Sequence, residues 1–325
     1  MISDSTGVVV IGRNEGERLV RCLSSVAADT DSIVYVDSGS TDGSIVAAKP
    51  FVAVIVALDV TRPFTAARAR NEGFAALKAL RPNIQFVQFI DGDCVLAKDW
   101  LGKALAFIEQ RADAGVVCGR RREQHPSASV YNQLCDIEWD TPIGETLTCG
   151  GDSLVRAAAF EAVGGFKPDL IAGEEPELCI RIRGAGWKIW RIDAEMTRHD
   201  AAMTRFGQWW ARSVRGGHAY AEVSWLHRNS RARIWGPEIL RTLFWGGGLP
   251  AAICVGAMFY PLALVAILIY PLQVCRIALA RGASSSLSWS YALFMTIAKF
   301  AELEGLAKFY WRLWRRAPAE LIEYK

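Results

Sequence analysis

None of the eight cysteines in this chain is spaced C-x-x-C from another. Cys94, Cys118 and Cys179 sit inside apolar runs, which suits buried thiols in a reducing compartment rather than a disulfide framework or a zinc site. A glycine signature is also missing. The first strand-like run, "GVVVI" (7–11), is followed by "GRNEGE" and not by G-x-G-x-x-G, so a simple dinucleotide-binding dehydrogenase is set aside. Charge of one sign is scarce: a net +3 is too small to argue for nucleic acid. The opening "MISDSTGVVVIGRNE" has no basic segment followed by a long apolar core. No signal peptide is therefore expected, and the first domain is expected to stay in the cytoplasm. No internal repeat or low-complexity segment is visible.

What is present is a folded chain with an uneven apolar distribution. Hydrophobic residues make up 51% and charged residues 22% of 325 residues, enough for one large domain with an appendage or for two domains. From Leu243 to Cys275 no residue carries a formal charge. About 20 apolar residues span a bilayer as a helix, so two short crossings meeting near "MFYP" (258–261) fit this run. A pair of buried helices is the alternative, but soluble helices of such length normally show a polar face. The expected division is a folded first domain over 1–235, a membrane-spanning helical hairpin over 236–282, and an amphipathic interfacial helix with its tail over 283–325.

The first half alternates strand and helix signals. "GVVVI" precedes a segment whose Leu19, Cys22, Leu23 and Val26 fall at helical spacing. "SIVYVD" (32–37), "FVAVIVAL" (51–58) and "IQFVQFID" (84–91) read as further strands, with a helix over 65–80. This order implies an α/β fold with a mainly parallel sheet and helices on both faces. In such sheets ligands collect beyond the carboxyl ends of the strands. Asp37 and Asp91 both occupy strand ends and are expected near one another. For Asp37 a helix cap or turn acid is the alternative.

"FVQFIDGDCVL" (86–96) places two carboxylates at the end of an apolar run. Uncompensated burial of carboxylates is costly, and a cation or a dense set of donors removes that cost. A plain turn, with Gly92 supplying an unusual backbone angle, is the alternative. Further along, Asp169, Glu174, Glu175 and Glu177 gather at the start of an amphipathic helix. The helix dipole explains one or two acids there more naturally than a dense group.

Six segments occur together: "VVVIGRNEGERL", "VYVDSGSTDGS", "ARARNEGF", "IDGDCVL", "GGDSLVRAAAFEAVGGF" and "GEEPELCIRIRGAGW". In this order, over residues 8–187, they resemble the family 2 glycosyltransferases, inverting enzymes of the GT-A fold with a Rossmann-like mixed sheet. Two positions depart from the family: no proline precedes Asn14-Glu15, and Glu174-Glu175 stands where Glu-Asp is usual. The resemblance implies that Asp37 reads the nucleotide base and that Arg70, with Arg68 and Glu15, lies on the nucleotide-sugar side. It places Asp91 near the ribose and metal, and Asp93 on the metal. His199 sits where some relatives add a third metal ligand, a structural histidine being the alternative. Glu175 matches the general base, beside Glu174, and Gly151 with Asp152 falls on the acceptor side.

The chemistry asks for these residue types independently. A nucleotide-sugar donor leaves as a diphosphate, and Mg²⁺ or Mn²⁺ held by carboxylates offsets its growing charge. A carboxylate on the opposite side takes the proton of the attacking acceptor hydroxyl.

The expected activity is inverting transfer of a single sugar from a nucleotide-diphosphate donor to a lipid-linked or saccharide acceptor. The expected setting is surface polysaccharide or glycolipid synthesis at the cytoplasmic membrane, with the catalytic domain on the cytoplasmic side. Trp209, Trp210, Tyr220 and Trp225 among arginines read as a membrane interface, core aromatics being the alternative. The basic helix over 294–316 reads as interfacial, a partner-binding helix being its rival. The segment at Gln208 does not reproduce Q-x-x-R-W of processive synthases. A nucleotidyltransferase of the same fold and a catalytically silent membrane scaffold remain the rival readings.

Overall fold

The computed structural model describes residues 5–59, 61–62, 64–230, 232, 234–317 and 322. The far end of the expected tail, beyond 317 apart from Ile322, lies outside the described residues. The chain forms two compact units. The first comprises residues up to His125 together with Cys135–Ala201; the second comprises Pro126–Leu134 and the residues from Ala202 onward.

The first unit is built on a nine-stranded sheet. Its strands are β1 (Thr6–Gly12), β2 (Ile33–Asp37), β3 (Val54–Ala57), β4 (Phe86–Asp91), β5 (Cys94–Leu96), β6 (Ala114–Glu123), β7 (Gly144–Thr146), β8 (Ser153–Arg156) and β9 (Lys188–His199). The spatial order is β3-β2-β1-β4-β8-β6-β9-β5, with β7 added to β9. The four strands legible in the sequence are parallel, as the strand–helix alternation implies. Beyond them β8 runs antiparallel to both β4 and β6, so the sheet is mixed.

Alternation along the strands loads both faces. Val8, Val10, Phe86 and Ile90 pack with Leu19, Cys22, Leu23 and Val26 of α1 (Glu17–Ala27). Val9, Ile11, Val87 and Phe89 pack on the other face. There they meet Phe74 and Leu77, which belong to the helix Ala66–Leu80. Each fully buried side chain of this size contributes about 1.5–3 kcal/mol. Between these two helices lies α2 (Ser44–Ala48), which makes Ala66–Leu80 α3. The later helices of the unit are α4 (Trp100–Glu109), α5 (Val130–Glu138, which begins in the second unit), α6 (Ala157–Ala162) and α7 (Glu174–Gly184).

The second unit is helical: α8 (Phe206–Leu226), α9 (Gly236–Thr242), α10 (Leu249–Phe259), α11 (Ile269–Arg281) and α12 (Ser286–Arg315). A π-helical segment, Leu243–Gly248, joins α9 to α10, and a 3₁₀ segment, Pro261–Leu268, leads into α11. Gly236–Phe259 and Pro261–Arg281 are long and apolar enough to cross a membrane. Only 17% and 6% of their most apolar stretches are buried, unlike core helices. The break falls at Tyr260-Pro261, where Pro interrupts the helical hydrogen bonds.

The expected boundary at 235 falls inside the second unit. Trp209 is 3% exposed and packs against Tyr131 and Phe294, and the Trp210 indole donates to Glu304 at 2.9 Å. These two tryptophans serve the α8–α12 packing rather than an interface, while Trp225 keeps an exposed face. Gly217 and Gly305 allow that packing, because a Cβ on either would strike the backbone of the facing helix. Thus α12 is held along one face by α8, and its last turns expose Tyr310, Trp311 and Trp314.

Candidate active site

Strand register brings the sequence-distant acids together. Ile11 of β1 pairs with Asp91 of β4, and Gly12 pairs with Asp37 of β2. Asp37 and Asp91 therefore stand one strand apart at the carboxyl end of the parallel part of the sheet, roughly 10 Å across. Asp37 is buried and accepts from the Tyr35 hydroxyl at 2.8 Å and from the backbone N–H groups of Gly39 and Ser40 at 2.9 and 2.8 Å. It does not cap α2, whose N-cap is Gly43.

Gly92 does turn the chain between β4 and β5, but among the described residues it is not one with positive φ. Its N–H donates to the Ile11 carbonyl at 2.8 Å, and a Cβ there would lie 3.1 Å from that oxygen. Glycine is needed for closeness, not for an unusual angle. The turn carries Asp93 onto the start of β5, whose Cys94 pairs with His199 of β9. Asp93 Oδ2 lies 3.2 Å from His199 Nε2, and both side chains are buried.

Arg70 of α3 is the hub of the cluster. Its Nη2 is 2.8 Å from Asp91, and its Nη1 is 3.2 Å from both Glu174 and Glu175 at the start of α7. Burial would favour the neutral guanidine, but Asp91, Glu175 and Glu174 outweigh it and hold Arg70 cationic. Burial likewise works against the Asp91 charge, and Arg70 with Arg121 overcomes it, so the carboxyl titrates below its ordinary value. Glu175 moves the other way. Burial and the neighbouring Glu174 raise it to about 7 against the pull of Arg70. A dense acid group at a helix start is sorted here by partners, since Glu177 is taken by Arg181 at 2.6 Å.

Arg121 and Trp139 are members that sequence reasoning missed. Arg121 of β6 lies 3.2 Å from Asp91 and 3.2 Å from Asp152. Trp139 stands edge-on to His199 at 4.9 Å and under the Arg121 guanidinium at 5.2 Å. The available signal was the run of arginines at the end of a buried strand, where charge needs a partner.

Two residues sit differently from expectation. Asp152, expected on the acceptor side, is buried, accepts from the Asp91 N–H at 3.1 Å and the Thr197 hydroxyl at 2.7 Å, and faces inward. Arg68, expected on the nucleotide side, holds Glu72 and the carbonyls of Asp59 and Arg62. Arg68 and Arg70 stand two residues apart on α3 and take different partners, Arg70 those of the acid cluster. Glu15 pairs with Arg18 at 2.7 Å beside the Gly12 backbone. Gly151 lies against Arg70 and Glu175, where a Cβ would come within 2.9 Å of the Glu175 carboxylate.

The donor set suits a hard divalent cation. Asp91, Asp93, Asp152, Glu174 and Glu175 outnumber the guanidiniums of Arg70 and Arg121, and Asp93 with His199 offers oxygen and nitrogen at one point. Cys94 is adjacent, but burial and then Asp152 hold its thiol well above its usual range, so it stays protonated.

Comparison with known proteins bears on this geometry. Residues 7–148 match the family model for glycosyl transferase family 2. Glycosyltransferase AglE of Haloferax volcanii is 24% identical over 241 residues, covering 70% of this chain and 77% of that protein. The pre-mycofactocin glycosyltransferase of Mycobacterium tuberculosis is 26% identical over 238 residues, 69% of this chain; the match spans 48% of that relative, about half its length. Among solved structures, the mannosyltransferase PcManGT of Pyrobaculum calidifontis, in complex with GDP-Man and Mn²⁺, superposes with a TM-score of 0.65 at 20% identity. That match covers 94% of this chain and 87% of PcManGT, and it shows the fold. The sheet order, the acids at its carboxyl edge and the family match agree: residues 7–148 carry a glycosyl transferase family 2 match on a mixed α/β sheet of the GT-A fold.

Proposed function

We propose that this chain transfers a single sugar, with inversion, from a nucleotide-diphosphate donor to a hydroxyl of a lipid-linked or saccharide acceptor. The observation that carries the reading is the position of Glu175 at the start of α7, 3.2 Å from the Arg70 guanidinium that also grips Asp91, where burial and Glu174 raise its carboxyl to about 7. A carboxylate near 7 is a competent base at neutral pH. Glu175 takes the proton of the acceptor hydroxyl as that oxygen bonds to the anomeric carbon. The bond from that carbon to the diphosphate oxygen breaks, and the electron pair leaves with the diphosphate. Glu174, more deeply buried, stays behind Glu175 and tunes it.

Asp93 and His199 would hold Mg²⁺ or Mn²⁺; the Mn²⁺ of a mannosyltransferase of the same fold supports this choice. Such an ion offsets the negative charge that grows on the leaving diphosphate. Asp37, with both oxygens fixed by hydrogen bonds, is oriented to read the base. The two apolar helices would anchor the chain in a cytoplasmic membrane, with the catalytic domain on the cytoplasmic side, for surface polysaccharide or glycolipid synthesis.

The test is incubation of the full chain with a panel of nucleotide sugars and Mn²⁺, following release of UDP, GDP or TDP. Release that Glu175→Gln abolishes supports the reading. Pyrophosphate formed from a nucleoside triphosphate and a sugar phosphate would favour the nucleotidyltransferase. Absence of any turnover with every donor, in the presence of membrane lipid extract as acceptor, would favour the scaffold.

A further inference from the structure

Two thiols that transfer chemistry does not use lie within reach of one another. Cys149, half-buried, sits between β7 and β8; Cys179 is buried within α7; their sulfurs are 3.5 Å apart. Cys149 stands two residues before Gly151, and Cys179 stands one helical turn beyond Glu175. The pair therefore joins the two segments that pack at the base. The contact at Gly151 has no slack, because a Cβ there would overlap Arg70 and crowd Glu175.

The two residues differ in exposure. The hydrogen bond with Cys149, and then burial, push the Cys179 thiol well above its ordinary range, so it keeps its proton. Cys149 is the more exposed residue of the pair, and residues 147–152 lie outside helix and strand. A disulfide is about 2.05 Å long, so closure asks the sulfurs to approach by about 1.5 Å. A side-chain rotation with a small loop shift provides that.

We propose that Cys149 and Cys179 form a peroxide-responsive dithiol whose closure to a disulfide locks the 147–152 segment onto α7. In the first step the Cys149 thiolate attacks one oxygen of hydrogen peroxide and the O–O bond breaks. Cys149 becomes a sulfenic acid, and the released hydroxide takes up the proton that Cys149 had lost, giving water. In the second step the Cys179 sulfur attacks the Cys149 sulfur. The S–S bond forms, the S–O bond breaks, and the departing hydroxide leaves as water with the Cys179 proton. Two thiols are oxidised by two electrons, and one peroxide is reduced to two waters.

Closure draws the Gly150-Gly151 backbone toward Glu175 and Arg70. Misplacing a reacting group by about 1 Å costs up to roughly 10²-fold in rate. The effect on turnover rests on Glu175 being the base, as proposed above; bond formation does not.

The experiment treats the full chain in detergent with hydrogen peroxide and maps it by mass spectrometry without reduction. A linked peptide pair holding Cys149 and Cys179, lighter by two hydrogens and reopened by dithiothreitol, is expected. Amide hydrogen exchange over 147–152 should slow on linkage. Nucleoside diphosphate release should fall about tenfold or more and recover with dithiothreitol. Cys149→Ser and Cys179→Ser should keep the basal rate and lose the response.

Peroxide that leaves both thiols free, or that takes Cys149 to the sulfinic acid without a link, overturns the proposal. Linkage without slower exchange overturns the locking. A chain that links and slows its exchange but never turns over a donor upholds the dithiol and sinks the catalytic reading instead.

Discussion

Arg70 and Asp91 are joined by a 2.8 Å ion pair that ties α3 to the end of β4. The arginine is almost fully buried and spends its other terminal nitrogen on Glu174 and Glu175. One side chain therefore aligns the end of the sheet with the start of α7, and its removal leaves three acids short of their shared cation. Breaking a buried pair from one side costs about 3–5 kcal/mol. Arg70→Met should lower the unfolding midpoint accordingly, and Arg70→Lys should recover only part. Equal melting temperatures for Arg70→Met and the native chain would remove the hub role.

Metal dependence should appear at Asp93 and His199. Excess EDTA is expected to stop donor turnover, with Mn²⁺ or Mg²⁺ restoring it. Asp93→Ala should nearly abolish turnover, and His199→Ala should raise the Mn²⁺ concentration needed for half-maximal rate. Manganese binding read by electron paramagnetic resonance checks both variants directly. Full turnover in EDTA would refute the assignment.

Glu175 and Glu174 should separate cleanly. Glu175→Gln keeps the shape and loses the base, so nucleotide binding should survive while transfer falls by roughly 10²-fold or more. Glu174→Gln should retain most of the transfer rate. The reverse pattern would move the base one residue upstream.

The pH dependence follows from the direction of the Glu175 shift. A base must be unprotonated to act, so kcat/KM should be flat above about 7 and fall with decreasing pH below it. Glu174 raises Glu175 by charge. Glu174→Gln should therefore move the acidic limb to lower pH. A limb that stays in place in that variant would mean another group titrates.

Topology is tested with single cysteines on a background lacking the native ones. A cysteine near Tyr260, between the two apolar helices, should react with an impermeant thiol reagent on intact cells. One near Gly282, past the second helix, should be spared, because two crossings return the chain to its starting side. Extraction of the full chain by high salt without detergent would defeat the spanning assignment.

Parts of this outcome were legible in the chain itself. Continuous apolar runs marked β1, β2 and β4, and the acids closing β2 and β4 already stood at ligand-facing ends. The uncharged run from Leu243 to Cys275 marked two apolar helices, and the Tyr260-Pro261 break between them. These are local properties: hydrophobic period, turn chemistry and absence of charge depend on neighbours a few residues apart.

The wiring of the cluster was not legible, for it joins residues as far apart as Arg70 and Glu175 or Arg121 and Asp152. Asp91, Asp152 and Arg121 are assembled by antiparallel pairing of β8 with β4 and β6, a register that no local pattern announces. The same holds for Trp209 and Trp210. An aromatic run beside arginines reads alike at a membrane interface and in a helix–helix core, and only the close crossing of α8 with α12 distinguishes them. Sequence determined which residues could carry charge at a strand end. Tertiary packing decided which of them share a cation, because the electrostatic energy of a buried acid depends on the distance to its partner and not on its place in the chain.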